Sequence, residues 1–438
     1  VTAGTTPGTG PSGDDNDVVA LAQQLIRINT SNPGGQERPA AELIADILTD
    51  IGVHCQWFEP EPGRASIVGR VAGADPTLPA LLLHAHLDVV PAVESDWTRD
   101  PFGGELHDGY IWGRGAVDMK GPVAMTLAAL QRLSRDGCSP RRDVVVAFFA
   151  DEEAGGTLGA GHVTRVSPHL FADCAEAIGE VGGFSHTLSA AHRAYFVSTA
   201  EKGVWWARLH ATGTAGHGSM INADNAITTL TRALVRLADH GLQAPVPTGA
   251  TRALIERLRE ILSDPQAGDD VLLARLGHFD RMTRAGRHNT VNLTQIDGGY
   301  KTNVVPSAAS ATIDARFLPG HATSFRRELT DLIGSAITVE TLYDGPAVEA
   351  VADAPLLDAI AAALQSADPT ATVLPYMSTA FTDAKWLHRL GIQCYGFTPL
   401  LLPDDLDFTA LFHGADERVP VDALRFGVDV LTRLLTTY

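Results

Sequence analysis

The residues best suited to chemistry fall in five short clusters. Residues 81–88 read Leu-Leu-Leu-His-Ala-His-Leu-Asp, an apolar run that ends in His84, His86 and Asp88. Alternate side chains of an extended strand share a face, so these three polar groups point the same way. A neutral imidazole is a common metal ligand, and a neighbouring carboxylate can fix its tautomer. Residues 113–121, Gly-Arg-Gly-Ala-Val-Asp-Met-Lys-Gly, put Asp118 between glycine turns where a helix is predicted to start. Residues 148–156 are Phe-Phe-Ala-Asp-Glu-Glu-Ala-Gly-Gly. Glu180 lies in Ile-Gly-Glu-Val-Gly-Gly (178–183), and His413 in Phe-His-Gly-Ala-Asp-Glu-Arg (412–418).

Each cluster alone has an ordinary structural reading. His84 reads first as a core histidine with a satisfied partner, Asp118 as a helix cap, and a lone Asp-Glu-Glu as a solvated acidic loop. Together they say more. Three consecutive acids directly after a buried strand are costly without a cation to neutralise them. The set joins imidazoles to several carboxylates and contains no thiolate. Such hard and borderline donors suit zinc, cobalt or manganese better than an iron–sulfur cluster or copper.

These residues need elements to hold them. Amphipathic helices are predicted over residues 18–27 and 39–51, and apolar runs over 65–71, 80–87 and 144–150. Such runs, alternating with helical segments, suit central strands of a parallel sheet covered on both faces. A helix over 122–133 tolerates Pro122 in its first turn, where a missing N–H costs little. The expectation is an α/β fold with a mostly parallel central sheet flanked by helices. The middle of the chain reads differently. Strand-like 204–213, helical 225–239, strand-like 290–298 and 309–317, helical 324–333 and strand-like 339–343 give the split βαβ order of a ferredoxin-like α+β layer. Residues 241–288 form an insertion with a predicted helix over 251–262. A strand at 392–397 and a helix at 421–435 complete the chain. The expected domains are therefore 17–200 with 349–438, and an inserted 201–348, after a disordered tail at 1–16.

Composition narrows the class. Hydrophobic residues are 45% of the 438, enough for a full core. With 52 acids against 33 bases the net charge is −19. That surface repels phosphate backbones, so nucleic acid and anionic membranes are poor partners. No apolar stretch approaches the ~18 residues of a membrane span. Cys55, Cys138, Cys174 and Cys394 form no CxxC pair and read as buried thiols. With a tail that lacks an apolar run, they point to a reducing, cytoplasmic setting.

In this order, His-x-Asp-Val-Val-Pro, Gly-Arg-Gly-x-x-Asp-Met-Lys-Gly, Asp-Glu-Glu and Asn-Val-Val-Pro resemble the M20 metallopeptidase family, over nearly the whole chain after the tail. The family includes aminoacylases, succinyl-diaminopimelate desuccinylases, acetylornithine deacetylases and glutamate carboxypeptidases. The resemblance implies a hydrolase of amide bonds in small carboxylate-bearing substrates, with two divalent metal ions per chain, zinc favoured over cobalt or manganese. Asp118 would bridge the metals, His86 and Glu180 completing one and Glu153 and His413 the other. Asp88 would orient His86, and Glu152 would be the general base. A cis peptide is implied after Asp118. In the inserted lid and dimerisation domain, His217 of Gly-His-Gly-Ser would donate to the oxyanion of a partner subunit's site. Asn303 and Arg316 would bind substrate polar groups, and so would Lys385. Many amino-acid-processing relatives carry Arg where Lys385 stands, and Lys lacks the planar fork that grips a carboxylate. A homodimer is implied. An N-acyl amino acid or dipeptide leads as substrate; a desuccinylase or deacetylase of biosynthesis is the alternative, and a catalytically silent metal-binding dimer a remote one.

Overall fold

The computed structural model describes residues 17–438; the tail expected at 1–16 lies outside them. The chain divides into two compact units. One comprises 17–197, 353–374 and 382–438; the other comprises 198–352 with 375–381.

The first unit is built on a sheet whose strands run, side by side, Cys55–Phe58, Ser66–Val71, Val144–Phe149, Ala80–His86, Cys174–Gly179 and Gln393–Gly396. The last four are mutually parallel. Every residue of Val144–Phe149 and Ala80–His86 is buried, as their unbroken apolar sequences require. On one face Leu82, Val145, Ala147 and Phe149 pack toward Val163, Phe171 and Leu387. The helix Lys120–Arg135 packs on Ala80–His86 and against the helices Asp17–Arg27 and Val421–Thr437. Residues 65–71 were expected among the central parallel strands. Ser66–Val71 instead pairs antiparallel with both neighbours. Two-sided burial fixes the apolar composition of a strand but not its direction. The strand Cys174–Gly179 was not anticipated, because Glu176 interrupts its apolar run.

The second unit carries the sheet Thr290–Gly298, Ala308–Phe317, Gly203–Thr212, Thr338–Gly345, antiparallel throughout. With the helices Ala226–His240 and Ala322–Ile333, this is the ferredoxin-like order. Ala226–His240 starts where Asn225 accepts the N–H of Thr228. It buries Leu230, Ala233, Leu234 and Leu237, an i, i+3, i+4, i+7 stripe, in the core of this unit. The strand Thr290–Gly298 lies at the sheet edge, and most of it is exposed. The insertion contains the helices Gly249–Ile261, Asp269–Leu273 and Asp280–Ala285. Residues 375–381, expected in the first unit, pack with the second. Met377 shares a small core with Ala200, Ala250 and Leu318, and Phe381 lies on Trp206 and Tyr343.

Among the described residues no helix is long and apolar enough to cross a membrane. All four cysteines are free; Cys174 and Cys394 are buried as expected, but Cys55 is half-buried and Cys138 exposed. Leu82 is fully buried in the strand that ends at His86. Leu82→Ala should cost about 2–5 kcal/mol by the usual large-to-small penalty. Urea unfolding checks this, and an unchanged midpoint would contradict the packing described.

Candidate metal centre and active site

Three adjacent parallel strands end at one place. His86 is the last residue of Ala80–His86, Glu152 and Glu153 follow Val144–Phe149, and Glu180 follows Cys174–Gly179. Ligand sites of open α/β sheets lie beyond these carboxyl ends. Asp118 arrives just before the helix Lys120–Arg135, and His413 from a loop in which it adopts a left-handed φ of 59°. The Asp118–Met119 peptide is cis.

The side chains form two ligand groups that share Asp118: His86, Asp118 and Glu180, and Asp118, Glu153 and His413. His86 Nε2 lies 2.9 Å from Asp118 Oδ1 and 3.3 Å from Glu180 Oε2. His413 Nε2 lies 3.2 Å from both Asp118 Oδ2 and Glu153 Oε2. Burial opposes the charging of His86, but Glu180 and Asp118 outweigh it and raise its pKa well above the imidazole range. Hydrogen bonds to Asp118 and Glu153 raise His413 to about 10. Burial, with the Asp118 charge, pushes Glu153 up to about 7; burial also raises Glu180. Burial works against Asp118 as well, yet its bonds to His413 and His86 prevail and lower it.

The residues fit a pair of divalent cations. Asp88, Asp118, Glu152 and Glu180 are buried and Glu153 nearly so, five carboxyl groups against two imidazoles and Lys385, and burial alone disfavours charging several of them without further cations. Glu153 Oε1 is buried with no hydrogen-bond partner. The donors are nitrogen and oxygen only, a set that suits zinc and its neighbours.

A second layer fixes these groups. Asp88 accepts the N–H of Glu152 at 3.0 Å, of Glu153 at 3.1 Å and of Asn32 Nδ2 at 2.8 Å. His86 Nδ1 meets the Asp88 carbonyl at 2.9 Å, whereas the carboxylate is 3.7 Å away. Asp88 was expected to orient His86 without being a ligand itself. It does so through its backbone, and the carboxylate holds the Glu152–Glu153 turn instead. Asp151, first of the three acids, is paired with Arg64 at 2.8 Å, an arginine it shares with the buried Glu37 at 2.9 Å. Lys385 was expected to bind substrate, but it is buried, with Nζ 3.5 Å from Glu152 Oε1. His84 belongs to neither ligand group. Burial and the charges of His86 and Lys385 lower its pKa to about 3, so it is a neutral core histidine. Its ring fills the space beside Gly179, where an added Cβ would lie 2.2 Å from Nε2.

The remaining expected residues belong to the second unit. The short strand Gly216–His217 pairs with Val304–Val305, which brings His217 beside the Asn303 segment, and Gly218 donates to the Asn303 carbonyl at 2.9 Å. Both side chains are exposed, and His217 Nδ1 lies 2.8 Å from Ser219 Oγ. Arg316 stands apart from them on the four-stranded sheet. Its fork is taken by Asp314, at 2.7 and 3.0 Å, and its guanidinium lies over Phe381. The sequence reading missed Glu417, fully buried beside the Asp118 loop, although it lies in the quoted segment 412–418. It also missed Asn32 and Arg64, which lie outside every cluster. Only contacts between residues distant in the chain reveal them.

The sequence matches the profile of peptidase family M20/M25/M40 over residues 82–437. The chain belongs to that family. Aminoacylase-1 of Sus scrofa is 29% identical over 428 residues, spanning 95% of this chain and 94% of its own length. Among solved folds, an M20 metallo-carboxypeptidase from Sulfolobus solfataricus superposes with a TM-score of 0.75 at 16% identity, covering 96% of this chain and 98% of its own. A dinuclear metal-binding M20 peptidase from Bacillus subtilis gives 0.60 at 13% identity, covering 97% and 98%. This M20 chain is thus a metallohydrolase acting on amide bonds.

In this M20 enzyme Asp88 should support the fold as well as the site. Asp88→Ala leaves three buried donors unpaired, at roughly 1–3 kcal/mol each before relaxation. Its urea midpoint, measured in chelator so that metal binding does not contribute, should fall clearly. An unchanged midpoint would mean the carboxylate does not hold the turn.

Proposed function

We propose that the chain hydrolyses N-acyl amino acids or dipeptides with two divalent cations per site, zinc before cobalt or manganese. The observation that carries this is Asp118, shared between two ligand groups with the buried Glu152 beside Glu153. The aminoacylase-1 relative supports the substrate class, and the dinuclear Bacillus subtilis neighbour supports the metal count. His86, Asp118 and Glu180 would hold one cation and Asp118, Glu153 and His413 the other. When bound, such a pair lowers the pKa of the attacking water and polarises the scissile carbonyl.

The chain's own residues supply the rest. Glu152 takes the proton of the attacking water and returns it to the leaving nitrogen. Lys385 packs its buried Nζ against Glu152, 3.5 Å from Oε1. Asn303 offers a polar contact to substrate, and His217 donates to the developing oxyanion. Arg316 could grip a substrate carboxylate only by leaving Asp314, so the reading does not depend on it. We also propose a homodimer. Among the described residues the strand Thr290–Gly298 ends its sheet with no strand on its outer side, and it exposes Leu293 and Ile296. Pairing of two such edges would let His217 serve the neighbouring chain's site.

Glu152→Gln should lower kcat for an N-acetyl amino acid or dipeptide at least about 100-fold, the lower end of a general base's contribution, and leave metal content unchanged. Loss of metal from Glu152→Gln but not Glu153→Gln would mean the two roles are reversed. A panel of N-acetyl, N-succinyl and dipeptide substrates tests the substrate class: dominant turnover of the N-succinyl compounds would favour the biosynthetic desuccinylase.

The dimer is tested by complementation. His217→Ala and Glu152→Gln, each nearly inactive, should regain about a quarter of wild-type activity after random subunit exchange, one restored site in each mixed dimer, if His217 acts in trans. A mixture that exchanges subunits yet stays inactive rejects that arrangement.

A further inference from the structure

Glu417 is fully buried and is in neither ligand group. Its carboxylate is spent on the loop that carries Asp118. Oε1 accepts the N–H of Val117 at 2.7 Å and of Asp118 at 3.0 Å. Oε2 accepts the N–H of Gly115 at 3.1 Å and Arg114 Nη1 at 2.7 Å. Arg114 is buried too, and its Nη2 donates to the backbone carbonyls of His413 at 3.3 Å and Pro91 at 3.4 Å. One buried ion pair therefore ties the backbone of Asp118 to the backbone of His413, almost 300 residues further along the chain. The segment around it is zipped to the same loop. Glu417 O accepts the N–H of Gly113, and Arg418–Pro420 pairs antiparallel with Tyr110–Trp112.

The two ligand groups depend on this clamp unequally. His86 and Glu180 stand at the ends of buried strands, and His86 is held by the Asp88 carbonyl. The His413 side chain is 55% exposed, and its backbone holds a left-handed φ that a non-glycine residue keeps only when its surroundings impose it. A carboxylate suits the clamp because both of its oxygens are acceptors facing donors.

We infer that Arg114 and Glu417 are positioning residues for the metal position made by Asp118, Glu153 and His413, and that this position is the looser of the two, its affinity set by their clamp. The inference rests on the two-metal reading above. The partners that orient metal ligands typically govern 10–100-fold in affinity, and here they act through backbone on two ligands of this position, His413 and the shared Asp118, but on only Asp118 of the other.

The test strips zinc from the full-length, zinc-loaded protein against graded chelator and measures the zinc retained. Circular dichroism checks the fold. Wild type should lose its two equivalents in separate steps. In Glu417→Gln one acceptor oxygen becomes an amide that faces N–H donors, so this variant could fail to fold. Arg114→Lys keeps Glu417 and its three backbone bonds but loses the fork, and it carries the test in that event. In Arg114→Lys the weaker step should shift about 10–100-fold toward easier loss while the tighter step, with Asp118 still on Glu417, stays within about twofold; in Glu417→Gln both steps should move, the weaker one further. An unmoved weaker step in a folded variant, or two steps shifted alike, overturns the inference. A wild type that never holds two equivalents refutes the two-metal reading instead.

Discussion

The structure is organised around negative charge held out of water. Asp88, Asp118, Glu152, Glu153 and Glu180 converge at the ends of buried strands, with Asp383 buried nearby. Each ion taken from water costs several kcal/mol unless its neighbours offset the loss. Asp151 and Glu152 have Arg64 and Lys385, and Asp88 has three hydrogen-bond donors. Asp118, Glu153 and Glu180 have only two imidazoles among them. A cation pair would offset that imbalance, and in the proposed reaction the same pair would activate the attacking water.

The fold meets the constraint by dividing labour. Adjacent parallel strands bring His86, Glu152, Glu153 and Glu180 together at their carboxyl ends. Loops supply Asp118 and His413, and buried groups that are not ligands pin the turns, with Arg114 on the His413 carbonyl. Asp88 pins the turn of Glu152 and Glu153; Glu417 pins the loop of Asp118. Glycine makes part of this possible. Gly179 admits the His84 ring beside the Glu180 strand, and the φ of 90° at Gly115 lets the loop turn where Glu417 accepts its N–H. The second unit carries an exposed ribbon that bears His217 and Asn303.

Much of this was legible in the sequence because the period of a strand and the chemistry of a ligand are both local. Residues 81–88 carried their apolar run and His86 on one line, and the structure gathers the expected ligands into two groups that share Asp118. The alternation of strands and helices between 204 and 343 was enough to read the ferredoxin-like order. Long-range pairing was not legible. Nothing near Lys385 says that it will be buried against Glu152, and nothing near Arg316 says that Asp314 will take its fork. Ser66–Val71 has the composition of a parallel strand, but its direction is set by the chain path. Met377 joined the second unit because of what it packs against, which its own segment does not reveal.

In the proposed site Asp118 joins two cations. Anomalous diffraction from crystals of the zinc-loaded enzyme, recorded on both sides of the zinc absorption edge, tests it most directly. The account predicts two peaks per chain, about 3.5–4 Å apart as in other two-metal sites, with one oxygen of Asp118 on each, His86 and Glu180 at the first, and Glu153 and His413 at the second. A single peak, or two peaks with Asp118 bound to only one, would contradict it.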